Sequence, residues 1–185
     1  EKPDAVVMEC MAVQPQYQWI AEHQMVKSQV GVITNVRPDH LEEMGPTEED
    51  VALSLCNTIP VDGVLITGED QKTDLMRDIA GKNESRFIHS NESKITKEEL
   101  EKFTYMEHPS NVAVALDACK EAGVERETAL AGMHKLKPDL GALIAWNLNL
   151  NGKNIQFING MAANDPVSTL QIWKFVMDRY PAEGG

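Results

Sequence analysis

Gly31-Val32-Ile33-Thr34-Asn35-Val36-Arg37-Pro38-Asp39-His40-Leu41 is the stretch on which the fold turns. Its first half is apolar and β-branched, and a run of that kind reads as a strand. Its second half gathers Asn35, Arg37, Asp39 and His40 where an open α/β sheet collects ligands, at the carboxyl ends of its strands. Upstream, Ala5-Val6-Val7-Met8 is a second apolar run, ending at Glu9, and Pro15 opens a helix-length segment between the two. Two β-runs flanking a helix imply a βαβ crossover and a parallel sheet.

Outward from there the alternation continues. Thr47 followed by Asp50 reads as a helix N-cap, Gly63-Val64-Leu65-Ile66-Thr67 as a strand, Gln71 to Ala80 as a helix closed by Gly81, and Arg86-Phe87-Ile88-His89 as a strand. Thr96-Lys97-Glu98-Glu99 has a capping-box pattern, Pro109 opens a helix running to Gly123, and Glu125 to Met133 reads as another. The text then changes: Ala142 to Leu150 and Lys153 to Ile158 are β-like, joined by the hairpin dipeptide Asn151-Gly152, and a last helix covers Ser168 to Arg179. The expected class is α/β, a mostly parallel sheet flanked by helices over residues 1–138, followed at 139–185 by the beginning of a second α/β domain. A hairpin and one helix bury too little to stand alone, so the chain reads as part of something longer.

Composition narrows the function. Of 185 residues, 42% are hydrophobic and 25% charged, which excludes disorder. The formal charge of −12 opposes nucleic acid and anionic bilayers as partners, and equally obliges any anionic substrate to find local cations or a metal. Cys10, Cys56 and Cys119 form no disulfide framework or zinc spacing, as expected of a reducing cytoplasm, and no apolar stretch reaches membrane-span length.

Glu9 and His40, at the ends of two expected neighbouring strands, offer a carboxylate and an imidazole that together suit Mg²⁺ or Mn²⁺. Asp39 and His40 equally serve to cap the turn after a strand. His23, His89 and His134 have no partner at ligand spacing and read as surface or turn residues. Trp19, Trp146 and Trp173 read as packing in a core or between domains, and Met161 and Met177 as core filling.

The run ITNVRPDHLEEMG resembles the signature of the Mur ligase family at Thr34, Asn35, Asp39, His40, Leu41 and Gly45. VVMEC places Glu9 where that family carries a metal-binding glutamate. His108-Pro109-Ser110-Asn111 resembles its HNxxN helix start, and Ile158-Asn159-Gly160-Met161-Ala162-Ala163-Asn164-Asp165-Pro166 its D-x-A-H-N-P strand end. The wording is most similar to the branch that makes capsule poly-γ-glutamate.

That resemblance implies a P-loop NTPase-like central domain that binds ATP and Mg²⁺. It implies catalytic roles for His40 and Asp39, a metal site at Glu9 and His40, and nucleotide contacts from Asn111, Asn35, Asn159 and Asn164. It further implies ATP-dependent amide formation through glutamate's γ-carboxylate, with the γ-linked polymer and the membrane subunits of a polymer synthase as partners on the cytoplasmic side of the membrane. A folylpolyglutamate or cell-wall peptide ligase, or a non-catalytic nucleotide-binding scaffold, are the alternatives. The chain departs from the family in lacking a lysine between Leu41 and Gln71, in carrying Lys137-Pro138-Asp139-Leu140 where relatives place an arginine, and in having Asn159 for an acidic residue. No G-x-x-x-x-G-K-[ST] phosphate loop is present, as expected if that loop precedes Glu1 in a longer protein.

Overall fold

A computed structural model describes residues 2–138, 141–161, 163 and 166–180. The chain divides into two compact units, one of residues 1–96 and 108–130, the other of residues 97–107 and 131–185.

The first unit is built on three parallel strands, β1 (Val30–Ile33), β2 (Val64–Thr67) and β3 (Arg86–His89), lying in sheet order β1-β2-β3. Their register aligns Ile33 with Thr67 and Thr67 with His89, so the three carboxyl ends are flush. Short strand-length runs alternating with helical stretches produce this arrangement, because parallel neighbours require a crossover between them. The first crossover holds α2 (Leu41–Met44) and α3 (Glu48–Leu55), and the second holds α4 (Thr73–Lys82).

Thr47 caps α3 as expected, its Oγ1 accepting from Asp50 N–H at 3.2 Å while the Asp50 carboxylate accepts from Thr47 N–H at 3.1 Å. Helix α4 runs through Gly81 and not up to it. A Cβ at Gly81 would meet nothing within 4 Å, and Asn83 makes the C-cap.

Helix α1 (Pro15–Ile20) begins at the proline and continues as a π-helical turn, Ala21–Val26, that ends on Lys27 at φ 53°. Two buried polar side chains fasten this segment. Gln18 donates to the carbonyls of Ala12 and Val13 and accepts from Ser54 Oγ at 2.8 Å, while Glu22 accepts from Ser28 N–H and Oγ.

Alternate residues of the strands face opposite layers. Ile33 and Leu65 join Val36, Val51, Ala52, Cys56, Ile59, Met76 and Ala80 in one buried cluster on the α3–α4 side. Ile66, fully buried, faces the other way, where α6 (Pro109–Glu121) packs on β1 and β2 through Val112, Ala113, Val114 and Leu116. Helix α7 (Arg126–Met133) follows, with Ala129 and Leu130 buried.

The second unit contains α5 (Lys97–Leu100), the antiparallel hairpin of β4 (Ile144–Leu150) and β5 (Lys153–Asn159), and α8 (Pro166–Arg179). Asn151 at φ 53° and Gly152 at φ 79° make the two-residue turn that the Asn-Gly dipeptide announces. Phe103 is buried here, edge-on to His134, whose Nε2 lies 3.0 Å from the Glu99 carbonyl oxygen.

Three expectations are corrected. Ala5 to Met8 forms no strand: the segment is extended but pairs with nothing, and Val6, Val7 and Met8 are exposed. An apolar run becomes a strand only when a ladder partner satisfies its backbone, and none among the described residues does so. Trp19, Trp146 and Trp173 are 45%, 40% and 63% exposed, so none fills a core in this chain. Met161 and Met177 are likewise exposed, so neither fills a core among the described residues. No helix among the described residues is long and apolar enough to cross a membrane.

Candidate active site

The flush strand ends direct three loops to one edge of the sheet. From β1 come Thr34, Asn35 and the turn to His40; from β2, Gly68, Glu69 and Asp70; from β3, Ser90 and Asn91. Val36 is buried in the core cluster, which anchors the β1 loop at its midpoint. Beyond it Asp39 and His40 are exposed.

His40 adopts φ 49°, ψ 41° at the N-cap of α2, a left-handed conformation that histidine tolerates better than bulky residues do. Its N–H donates to Asp39 Oδ1 at 3.0 Å, and its Nε2 lies 3.8 Å from Asp39 Oδ2. His40 thus occupies the N-cap position of α2, with no side-chain capping hydrogen bond there. Both side-chain heads stay accessible to a ligand, at 48% and 53% exposure.

The start of α6 is drawn to the same edge. An ideal Cβ at Gly68 would stand 2.7 Å from Ser110 Oγ, 2.9 Å from the Thr34 carbonyl oxygen and 3.1 Å from Val114 Cγ2. Only a glycine lets the helix terminus approach the β1 and β2 ends so closely. His108 is the N-cap, its Nδ1 accepting from Ser110 N–H at 3.2 Å, and Asn111 lies exposed in the first turn.

Thr34, Asn35, Asp39 and His40 thus share a sheet edge with the first turn of α6 and Asn111. Glu9 does not sit at a strand end, as was expected, but in the exposed, unpaired segment before α1. Asn159 belongs to the second unit, at the end of β5, where its Oδ1 accepts from Met161 N–H at 3.1 Å. Asn164 lies outside the described residues.

Residues beyond the sequence motifs also occupy this edge. Glu69, only 5% exposed, accepts hydrogen bonds from the β1 loop and from its own turn. His89 Nε2 is 2.9 Å from Asp70 Oδ1, and Ser90 Oγ donates to Asp117 on α6 at 2.8 Å. The signal for Glu69 was an acid placed directly after a strand and a glycine, a position that loop chemistry favours but that no spacing rule singles out.

A hard divalent cation prefers oxygen donors and accepts an imidazole beside them. Carboxylate and imidazole are the right kinds of ligand, yet among the described residues no group of three His, Cys, Asp or Glu side chains could hold a metal ion. The fit is one of type and not of number.

Comparison with known proteins places this geometry. The Mur ligase middle domain matches residues 1–146, and the poly-gamma-glutamate synthase CapB C-terminal domain matches residues 145–184. The capsule biosynthesis protein CapB of Bacillus anthracis is 42% identical over 175 residues, covering 95% of this chain and 38% of that protein. The PGA synthase CapB of Bacillus subtilis (strain 168) is 40% identical over 181 residues, covering 97% of this chain and 46% of that protein. The chain therefore spans less than half the length of these relatives.

A solved structure of E. coli FolC in complex with DHPP and ADP superposes with a TM-score of 0.68 at 18% identity, over 86% of this chain and 40% of that one. That likeness establishes the fold. With a parallel sheet whose ends carry the ITN and DH loop, and a family match over most of its length, this chain belongs to the Mur ligase family.

Proposed function

We propose that this chain is the nucleotide-binding body, with part of the following domain, of an ATP-dependent amide ligase that joins glutamate units through the γ-carboxylate. The observation that carries the reading is 40–42% identity, across nearly the whole chain, to two proteins described as a capsule biosynthesis protein and a PGA synthase. In this reading the terminal γ-carboxylate of the acceptor attacks the γ-phosphorus of ATP, giving an acyl phosphate and ADP. The amine of an incoming glutamate then adds to the acyl carbon, and the tetrahedral intermediate expels inorganic phosphate to leave the amide.

Each residue has a place in that scheme. Asn111, in the first turn of α6, contacts the adenine, and Asn35, at the end of β1, faces the phosphates. Asp39 and His40 stand where the γ-phosphate reacts, with His40 and Glu9 as protein ligands of Mg²⁺. Asn159 and Asn164 supply nucleotide contacts from the second domain. The ion, when bound, neutralises charge on the transferring phosphoryl group. The membrane subunits of a polymer synthase are the partners this reading implies.

ADP release by the full-length protein, followed as a function of glutamate and its γ-linked oligomers, tests the proposal. Glutamate-dependent release is expected, and His40→Ala should lower it by about a hundredfold while the melting temperature stays within a few degrees of the parent. Turnover that needs a folate or a cell-wall precursor as acceptor, and not a γ-linked glutamate chain, would reassign the substrate. ATP consumption that ignores every acceptor would dismiss a ligase.

A further inference from the structure

The carboxylate of Glu69 is divided between two loops. Oε1 accepts from the N–H groups of Gln71, at 2.7 Å, and Lys72, at 3.3 Å, within its own turn. Oε2 accepts from Val36 N–H at 2.7 Å, 33 residues away in sequence, on the loop that leads to Asp39 and His40. The residue is itself pinned, its N–H donating at 3.0 Å to Oγ1 of the fully buried Thr67.

Burying a carboxylate is costly unless its oxygens are satisfied, and here main-chain donors from both strand ends satisfy it. Charge-assisted bonds of this kind are shorter and stronger than neutral ones, so the cross-loop bond is a firm tie. An apolar residue could fill the same space. It could not fix the height at which the β1 loop leaves the sheet.

We infer that Glu69 is the positioning residue of the β1 loop: its bond to Val36 N–H sets where Asp39 and His40 stand relative to the β2 end. This rests on the reading of Asp39 and His40 given under Proposed function. Glu69 touches no reacting atom and acts through the backbone of Val36.

Glu69→Asp isolates the tie. An aspartate accepts readily from the N–H two residues on, so the local turn survives, but one methylene fewer removes the reach to Val36. In the full-length protein the melting temperature of E69D should stay within a few degrees of the parent. The peptide spanning residues 34–40 should exchange its amide hydrogens at least about tenfold faster, while the peptide over α4 is unchanged. The kcat should fall by at least about tenfold with KM for glutamate unaltered, and E69D/H40A should be no worse than H40A alone.

Glu69→Gln serves as the second variant, since its amide must turn an NH₂ group towards one of the two sets of donors. Unchanged exchange at 34–40 in the folded variants, activity that merely follows the folded fraction, or failure of both variants to fold would each overturn the assignment. If the parent shows no glutamate-dependent turnover, the functional reading falls, and the exchange comparison alone then decides whether Glu69 holds the loop.

Discussion

Cys56 sits among Val51, Ala52, Ile59 and Leu65 with 3% of its surface exposed, and burial pushes its thiol from 9.0 up to about 12. The unfolded chain therefore releases this proton near pH 9 while the folded chain keeps it. Folded protein holds more protons in that window, so stability falls as pH rises from about 9 to 12, with a slope of about 1.4 kcal/mol per pH unit. Urea melts at pH 8 and pH 10.5 should show the loss, and Cys56→Ala should remove this group's share of it. At residue scale the sequence disclosed donor types well and surroundings poorly. Asp39 and His40 were evident as a polar pair after a strand, but the left-handed backbone at His40 belongs to the geometry of its turn, and the burial of Glu69 depends on Val36, 33 residues away.

Helix α6 approaches the strand ends because residue 68 has no side chain. Gly68→Ala should force Ser110, Val114 and Thr34 apart and destabilise the protein by about 1–3 kcal/mol, read from the urea midpoint. If Asn111 contacts the adenine as proposed, nucleotide affinity should fall more than stability, since Asn111 lies in the first turn of α6. At this scale the helices and strands were largely legible. Val64–Thr67 and the Phe87-Ile88 pair within Arg86–His89 find partners in register, and Pro109 and Asn151-Gly152 carry their own backbone rules. Ala5 to Met8 has the same composition without the partner, and pairing is a property of two segments that one segment's text cannot announce. Gly81, taken as a helix stop, lies inside α4 because glycine is costly in a helix but not forbidden there.

At the scale of the whole chain, 29 acidic against 17 basic residues coexist with a sheet face that remains apolar. Trp146, Leu148 and Leu150 of β4 share one face of the hairpin with Ile155 and Phe157 of β5, and all are exposed, with the Trp146 and Phe157 rings 5.6 Å apart. The 185-residue chain should bind a hydrophobic dye such as ANS, and Leu148→Lys combined with Phe157→Lys should abolish most of that fluorescence without lowering the melting temperature of the first unit. The order of the parallel sheet bears on synthesis as well as on chemistry. Because β1, β2 and β3 lie side by side in the order in which a ribosome makes them, β2 and β3 each emerge to find a neighbour already made, and among the described strands none is inserted between two earlier ones. Parallel sheets are slow to form when their pairings must wait for distant segments. Among these three strands, each pairing can form as soon as the later strand has emerged, while translation is still under way.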